Sequence, residues 1–597
     1  MASKIEDYAL IGDCETAALV GRDGSIDWLC FPRFDSPACF AALLGTPQHG
    51  RWVIAPAEPL VSVSRAYRDG TLVLDTTFET ATGAVTLTDC MPNRDGRANV
   101  VRLVHGVRGR VRMRMELVVR FDYGSVTPWV QREADGLSAI GGPDALRLCT
   151  PVRLTGKDFI TTADFDVVEG QQVPFVLTWH ASHQAPPATE VNAVSAVAET
   201  QEWWRRWSAR CTYEGEWREA VIRSLITLKA LTYAPTGGIV AAPTTSLPEH
   251  IGGERNWDYR YCWLRDSTFT LAALIQSGYA EEAAAWRQWL LRVVAGRADE
   301  LRIMYGLAGE RRLPEAELPW LPGYEGSAPV RIGNGAYDQF QLDVFGEVLD
   351  CLHLGRHLGL GEKVGDWRIE RELLARLEAV WQEPDEGIWE VRGPKRHFTH
   401  SKLMAWVAFD RAVKDVERFG LDGPVERWRQ LRDDLHAEIC DRGFNRAKQT
   451  FVQSYDGHEV DASLLMMAEV GFLPASDPRV AGTIAAVERE LMRDGFVDRY
   501  RTHSGVDGLP AGEGAFLLCT FWLADNYALA GRMDDARRTF EALLAIRNDV
   551  GLLAEEFCPV TRRQLGNFPQ AFSHLGLINT ARNITQRDKP GVVRAEA

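Results

Sequence analysis

One change of pattern constrains this 597-residue chain more than any other feature: near position 200, alternating apolar residues give way to apolar residues at helical spacing. Before it, TLVLDTTFET (71–80), GAVTLTDCM (83–91), VVRLVHGVRG (100–109), RMRMELVVRF (112–121), ALRLCTPVRL (145–154) and QQVPFVLTWH (171–180) alternate apolar with polar positions. They are rich in Val, Leu and Thr and bounded by Gly, Asp and Pro. RDGS (22–25), between AALVG and IDWLCF, reads as a hairpin turn. Short strands at this spacing predict an antiparallel β-sandwich over residues 1–195. ETQEWWRRWSAR (199–210) reads as a helix within a linker over 196–215.

From 216 to 597 the spacing is helical. WREAVIRSLITLKALTY (217–233) repeats apolar residues at three and four and stops at Pro235 and Gly237. Further segments fall at 266–279, 281–295, 337–358, 366–382, 400–415, 424–440, 459–470, 479–493, 513–530, 533–547 and 569–584. Several end before a glycine, as at Gly471, Gly495 and Gly551. Twelve helices in six pairs predict an (α/α)6 barrel, and the absence of a fixed-period repeat disfavours a solenoid. Four long loops, 236–265, 303–336, 383–399 and 497–513, are dense in Trp, Arg, Asp, Glu, Tyr and Gly. Long loops in a compact domain usually carry function.

Composition narrows the partners. A formal net charge of -15 argues against nucleic acid and anionic membranes. No apolar run approaches the length of a membrane span, and MASKIEDYALIGDCETAALV has no long apolar stretch of a signal peptide. Eleven cysteines, an odd number without a C-x-x-C pair, suit reduced thiols in the cytoplasm. The sequon at Asn583 is then expected to carry nothing. Nineteen tryptophans beside many charged residues suit a sugar cleft, where flat rings face a pyranose and charged groups bind its hydroxyls, although any single Trp is more often core.

Three segments concentrate candidate chemistry. GGERNWDYRYCWLRDS (252–267) holds Glu254, Arg255, Trp257, Asp258, Tyr259, Arg260, Trp263, Arg265 and Asp266, a candidate clamp for sugar hydroxyls. Asp266 could equally cap the helix that follows. DEGIWEVRGPKRHFTHSKLMAWVAFDRA (385–412) places Glu390 after Trp389, where an adjacent indole would desolvate the carboxyl and favour its protonated form. His397 and His400 lack a third ligand and read as hydrogen-bonding residues, not a zinc site. GLLAEEFCPVTRRQLGNFPQAFSHLGLINTA (551–581) carries adjacent carboxylates, Glu555 and Glu556, in an apolar setting. Glycoside hydrolysis needs two carboxyls flanking one bond, and Glu390 with Glu555 is the pair chosen here. No phosphate-binding loop, H-E-x-x-H or G-x-S-x-G competes, and IGNG (332–335) lacks the strand–helix frame of a dinucleotide site.

These segments resemble glycoside hydrolase family 15, in particular its trehalase-like bacterial branch. IEDYALIGDCETAALVGRDGSIDWLCFPRFDSPACFAALLG (5–45) is similar to that branch's N-terminal signature, and YCWLRDS (261–267) to the family's substrate-clamping segment. By the resemblance, GIWEVRG (387–393) carries the general acid at Glu390, and LAEEF (553–557) the general base at Glu555. VDRYRTHSGVDGLPAGEGAFLLCTFWLA (497–524) resembles the fourth active-site loop, with Arg499 at a substrate-binding position.

The resemblance implies a β-sandwich followed by an (α/α)6 barrel, an inverting mechanism, and no metal or organic cofactor. It further implies that Arg265, Asp266 and Arg499 hold hydroxyls, that Trp257, Trp263 and Trp389 form walls, and that Glu513 and Glu556 orient water or a second sugar. Starch-degrading members carry a second Glu after the acid; here that position is Val391, which fits a disaccharide better than a long chain. The expected substrate is α,α-trehalose. An exo-acting glucoamylase-type α-glucosidase on maltodextrin or isomaltose, and a catalytically silent sugar-binding relative, are the alternatives. Homo-oligomerisation is left open.

Overall fold

The computed structural model describes residues 2–186, 191–296, 298–360 and 366–585. Its first part is an antiparallel β-sandwich whose fifteen strands form one hydrogen-bonded network. The joint between the two sheets is a single 21-residue strand, Ala98–Val118. Its first half pairs with Gly83–Cys90 and Gln172–Ala181, and its second half with Arg51–Pro56 and Ile160–Val168. The sequence predicts two strands here, 100–109 and 112–121. The structure has one that changes sheets, and glycine permits the change. A Cβ on Gly106 would lie 2.1 Å from the Val168 carbonyl oxygen, and Gly109 has φ +67°. The buried Arg102 guanidinium sits within this sandwich. It pairs with Asp89 at 2.8 Å and donates to the carbonyls of Trp52 and Gly24.

Helix α1 (Ala193–Ser208), capped by the Asn192 side chain, leads from the sandwich to twelve helical elements. These form two concentric rings among the described residues. The inner ring comprises α3 (Ser267–Gln276), α5 (Asp343–His357), α7 (Thr399–Phe419), the helical turn 462–469 containing α9 (Met466–Glu469), α11 (Leu517–Leu529) and α13 (Ala571–Thr585). Each packs on an outer partner: α4 (Ala280–Val294), α6 (Asp366–Val380), α8 (Val425–Arg442), α10 (Pro478–Glu490), α12 (Met533–Ala545) and α2 (Arg218–Ala230). This is an (α/α)6 barrel, as the periodicity predicts.

The two rings differ in sequence for a physical reason. An inner helix is enclosed on all sides, so α11 (LLCTFWLADNYAL) is buried along nearly its whole length. An outer helix buries one stripe, and α12 (MDDARRTFEALLA) buries only Ala536, Phe540 and Leu543, spaced by four and three. Ends follow ordinary rules: α7 stops at Gly420 in the left-handed region, and α10 starts with an Asp477 cap and Pro478.

Connectivity then locates the site. Most links from an inner helix to its outer partner are short, as at 277–279, 420–424 and 530–532. The returns to the next inner helix are long: 231–266, 295–342, 381–398, 443–461, 491–516 and 546–570. Because helices alternate in direction, all six long returns lie at one end, the amino-terminal ends of the inner helices. Those helix ends carry partial positive charge and favour carboxylates.

The sandwich abuts this same end. The Trp28 indole donates to the Pro243 carbonyl at 2.8 Å, Arg260 donates to the Ser36 carbonyl at 3.0 Å, and Arg65 pairs with Asp549 at 2.7 Å. Among the described residues no helix is long and apolar enough to cross a membrane.

Candidate active site

The long returns bring several of the candidate residues around one cleft at the barrel mouth, with Trp263, Asp266 and Glu555 buried outside its lining. Its lining includes Trp257, Tyr259, Arg265, Trp389, Glu390 and Arg499, joined by Glu249, Arg255, Asn334, Arg392, Tyr500 and Asp507. Glu390 occupies a tight loop with φ +57°, a left-handed conformation that a non-glycine residue adopts at a cost. The loop is held by its own Glu390 N–H to Gly387 carbonyl bond and by the Gln339 amide, which donates to the carbonyls of Glu390 and Val391. The Glu390 carboxylate accepts from the Trp263 indole at 2.7 Å and from Arg265 at 3.2 Å.

The indole on Glu390 is therefore that of Trp263, not the adjacent Trp389. Trp389 turns its N–H to Asp461, 3.0 Å from both carboxylate oxygens, and presents its ring among Tyr500, Phe516 and Trp522. Trp389 and Glu390 line the same cleft, but the Trp389 N–H is given to Asp461 and not to Glu390. The expected desolvation of Glu390 by Trp389 has no counterpart in this geometry.

Glu555 is 1% exposed. Its Oε2 accepts from the Asn567 backbone N–H at 3.3 Å. Burial raises its pKa, and the charge of Glu249 raises it further; a hydrogen bond from Tyr259, the Arg499 charge and the Asn567 N–H oppose the rise. Asn567 ties this segment to the first loop, accepting from Thr244 at 2.8 Å and donating to the Trp257 carbonyl at 2.9 Å.

Tyr259 connects the two carboxyls. Its hydroxyl bonds to Glu555, and its ring packs edge-on against Trp263, centroids 5.3 Å apart, whose N–H holds Glu390. The charges of both Glu555 and Glu390 act on the Tyr259 hydroxyl, whose pKa is raised well above its ordinary value, first by burial. Glu390 and Glu555 are thus linked through two packed rings, Tyr259 and Trp263.

Along one side of the cleft lies an acidic cluster paired with two arginines. Arg499 donates to Glu513 at 2.5 and 3.1 Å and to Glu249 at 2.9 Å, and lies 3.6 Å from Glu556. Arg255 reaches Asp507 at 2.5 Å and Glu513 at 3.3 Å. Glu556 accepts from the Gly514 N–H at 2.8 Å, and burial followed by the Glu249 charge raises its pKa well above the ordinary range. Among the described residues, Glu249, Glu513 and Glu556 form a group with ligand atoms within 4.8 Å of one another. The cation those three face is the Arg499 guanidinium itself.

Several expectations change here. Glu513 and Glu556 stand behind Arg499 rather than in the cleft lining, where they hold the two arginines. Asp266 makes no side-chain cap to α3; it pairs with Arg265 at 3.5 Å, and burial raises its carboxyl to about 7 against the opposing charge of Arg265. Arg260 belongs to the domain interface, buried with Asp258 at 2.6 Å and over the Tyr123 ring. Val391 is buried with Phe398, Tyr500 and Val506. His397 stacks on Tyr455, and His400 lies buried at the start of α7; neither lines the cleft. Glu249, Asp507 and Arg392 were not singled out from sequence, although Asp507 and Arg392 lie within the quoted segments 497–524 and 387–393.

Comparison with known proteins makes this (α/α)6 barrel a glycoside hydrolase. The chain belongs to glycosyl hydrolases family 15, whose model matches residues 215–582, and the trehalase-like N-terminal domain model matches residues 1–204. It is 39% identical to a trehalase of Mycobacterium tuberculosis (strain ATCC 25618 / H37Rv) over 98% of this chain and 90% of that one. It is 36% identical to a trehalase of Thermoplasma acidophilum over 94% of this chain and 97% of that one. In fold it is similar to a bacterial glucoamylase complexed with acarbose, with TM-score 0.75 and 13% identity over 100% and 96% of the two chains.

Proposed function

We propose that this protein hydrolyses α,α-trehalose to two glucoses with inversion at the cleaved carbon. Glu390 protonates the glycosidic oxygen, and Glu555 removes a proton from the attacking water on the opposite face of the sugar. The observation that supports this assignment is the Glu390–Trp263–Tyr259–Glu555 connection, which links the two carboxyls through two packed rings. Arg265, Asp266 and Arg499 hold hydroxyls of the non-reducing glucose whose bond is cleaved, with Trp257 and Trp389 as walls and Trp263 acting through Glu390. The full-length likeness to trehalases supports the substrate. We divide the chain into a sandwich (1–195), a linker (196–215) and a catalytic barrel (216–597). A cytoplasmic location fits eleven cysteines among which no disulfide forms.

The test is glucose release from trehalose, maltose, isomaltose and soluble starch in parallel, with the product anomer followed by NMR. Trehalose cleavage with β-glucose appearing first is expected. Glu390→Gln and Glu555→Gln should each lose about 10²–10⁴-fold in kcat, the usual worth of general acid or base catalysis. Preference for maltose or starch would overturn the substrate; full activity in both variants would overturn the roles.

A further inference from the structure

Whichever reducing or non-reducing unit follows the cleaved bond must also be held, and the segment after Glu390 indicates how. Val391 is buried away from the cleft, whereas Arg392 lines it. The backbone of Arg392 is pinned: its N–H donates to the Asp507 carbonyl at 2.9 Å. The next residue, Gly393, runs so close to the opposite loop that a Cβ would lie 2.6 Å from the Val506 carbonyl oxygen.

The side chain is fixed as firmly. Its guanidinium pairs with Glu315 through two contacts, at 3.1 and 2.6 Å, and lies 4.3 Å from the Trp257 ring centroid. Arg331 also sits over Trp257, at 4.7 Å, and lies 3.6 Å from Glu315. Glu315 in turn accepts from the Gly335 N–H at 3.0 Å, and the positive groups around it hold its carboxyl below the ordinary value against burial. Trp257 is thus dressed by two guanidiniums, so a sugar entering there meets charged donors as well as an aromatic plane. A guanidinium has five N–H donors in a fixed fork, and two on Arg392 are used by Glu315.

We propose that Arg392, stacked on Trp257 and oriented by Glu315, is the binding residue for the second glucose and so a determinant of disaccharide specificity. The proposal rests on the trehalase reading. Its remaining donors bind hydroxyls of the leaving sugar. The Arg392–Glu315–Arg331 clamp closes the cleft beyond that sugar, which disfavours longer glucans.

The test compares trehalose with α-glucosyl fluoride, whose leaving group offers no hydroxyls, in the full-length enzyme. Arg392→Ala should raise KM for trehalose and lower kcat/KM by about 30-fold or more, each tenfold being ~1.4 kcal/mol. Its loss on the fluoride should be at least tenfold smaller. Arg392→Lys should recover only part of the loss, and Glu315→Gln should raise KM for trehalose while leaving the guanidinium present. Equal losses on both substrates for Arg392→Ala would overturn the proposal. A wild type that cleaves the fluoride but not trehalose would instead overturn the substrate reading, and with it this subsite.

Discussion

Gly566 leaves the space that the Glu555 carboxylate fills: a Cβ there would lie 2.4 Å from Oε2 and 2.7 Å from the Glu555 Cβ. Gly566 also has φ +73°. Gly566→Ala should therefore push the carboxylate aside as well as strain the turn. The expected loss is about 10²-fold in kcat, the scale of a misplacement near 1 Å, with a smaller change in KM. Stability should fall by about 1–2 kcal/mol from the backbone conformation. Steady-state kinetics with a thermal melt checks both, and unchanged kcat would show that Glu555 tolerates displacement.

The Tyr259 hydroxyl should set the acid limb of the pH profile. A base works only as a carboxylate, so activity falls as pH drops through the raised pKa of Glu555, above the ordinary value of about 4.3. The Tyr259 hydrogen bond opposes that rise. Tyr259→Phe should then move the acid limb of kcat/KM to higher pH. A shift to lower pH would mean the hydroxyl does not stabilise the Glu555 anion.

Much of this architecture is legible in the chain itself. The switch from strands to helices and all twelve helical segments follow from periodicity, because inner and outer helices both repeat at three and four. Strand 98–118 reads as two strands because its glycines punctuate it like a turn. Short strands such as Ala38–Phe40 and Thr155–Lys157 leave too little alternation to detect.

At the site, the aromatic- and arginine-rich segments point to the right loops but not to the direction of each side chain. Trp389 and Trp263 exchange their expected relations to Glu390 because a left-handed residue is invisible to spacing. Glu249 escapes notice because TTSLPEHIGG carries no pattern; only folding brings it within 2.9 Å of Arg499, 250 residues away.

The sandwich core depends on Arg102. Arg102→Ala would leave the buried Asp89 carboxylate without its guanidinium partner. Breaking a buried pair from one side typically costs ~3–5 kcal/mol. Chemical denaturation should show that loss, and Arg102→Ala together with Asp89→Ala should be less damaging than Arg102→Ala alone.

Asp525 on α11 should impose a pH dependence on stability at a distance from the cleft. Burial raises its carboxyl to about 7, opposed by hydrogen bonds from Asn583 and Thr580. A carboxyl raised in the folded state contributes stability at low pH and loses it as pH rises through the folded value. The thermal midpoint should thus decline from about pH 4 to about pH 7 and level off above it, at no more than ~1.4 kcal/mol per pH unit from this group. Asp525→Asn should flatten the decline. The same contact buries Asn583, whose amide donates to Asp525 at 2.8 Å, so the sequon there is closed to modification in the folded chain.

The bonds from Trp28 to Pro243 and from Arg260 to Ser36 give the loop bearing Tyr259 and Trp263 part of its support from another domain. A barrel made without the sandwich would keep both candidate carboxyls and lose these two contacts.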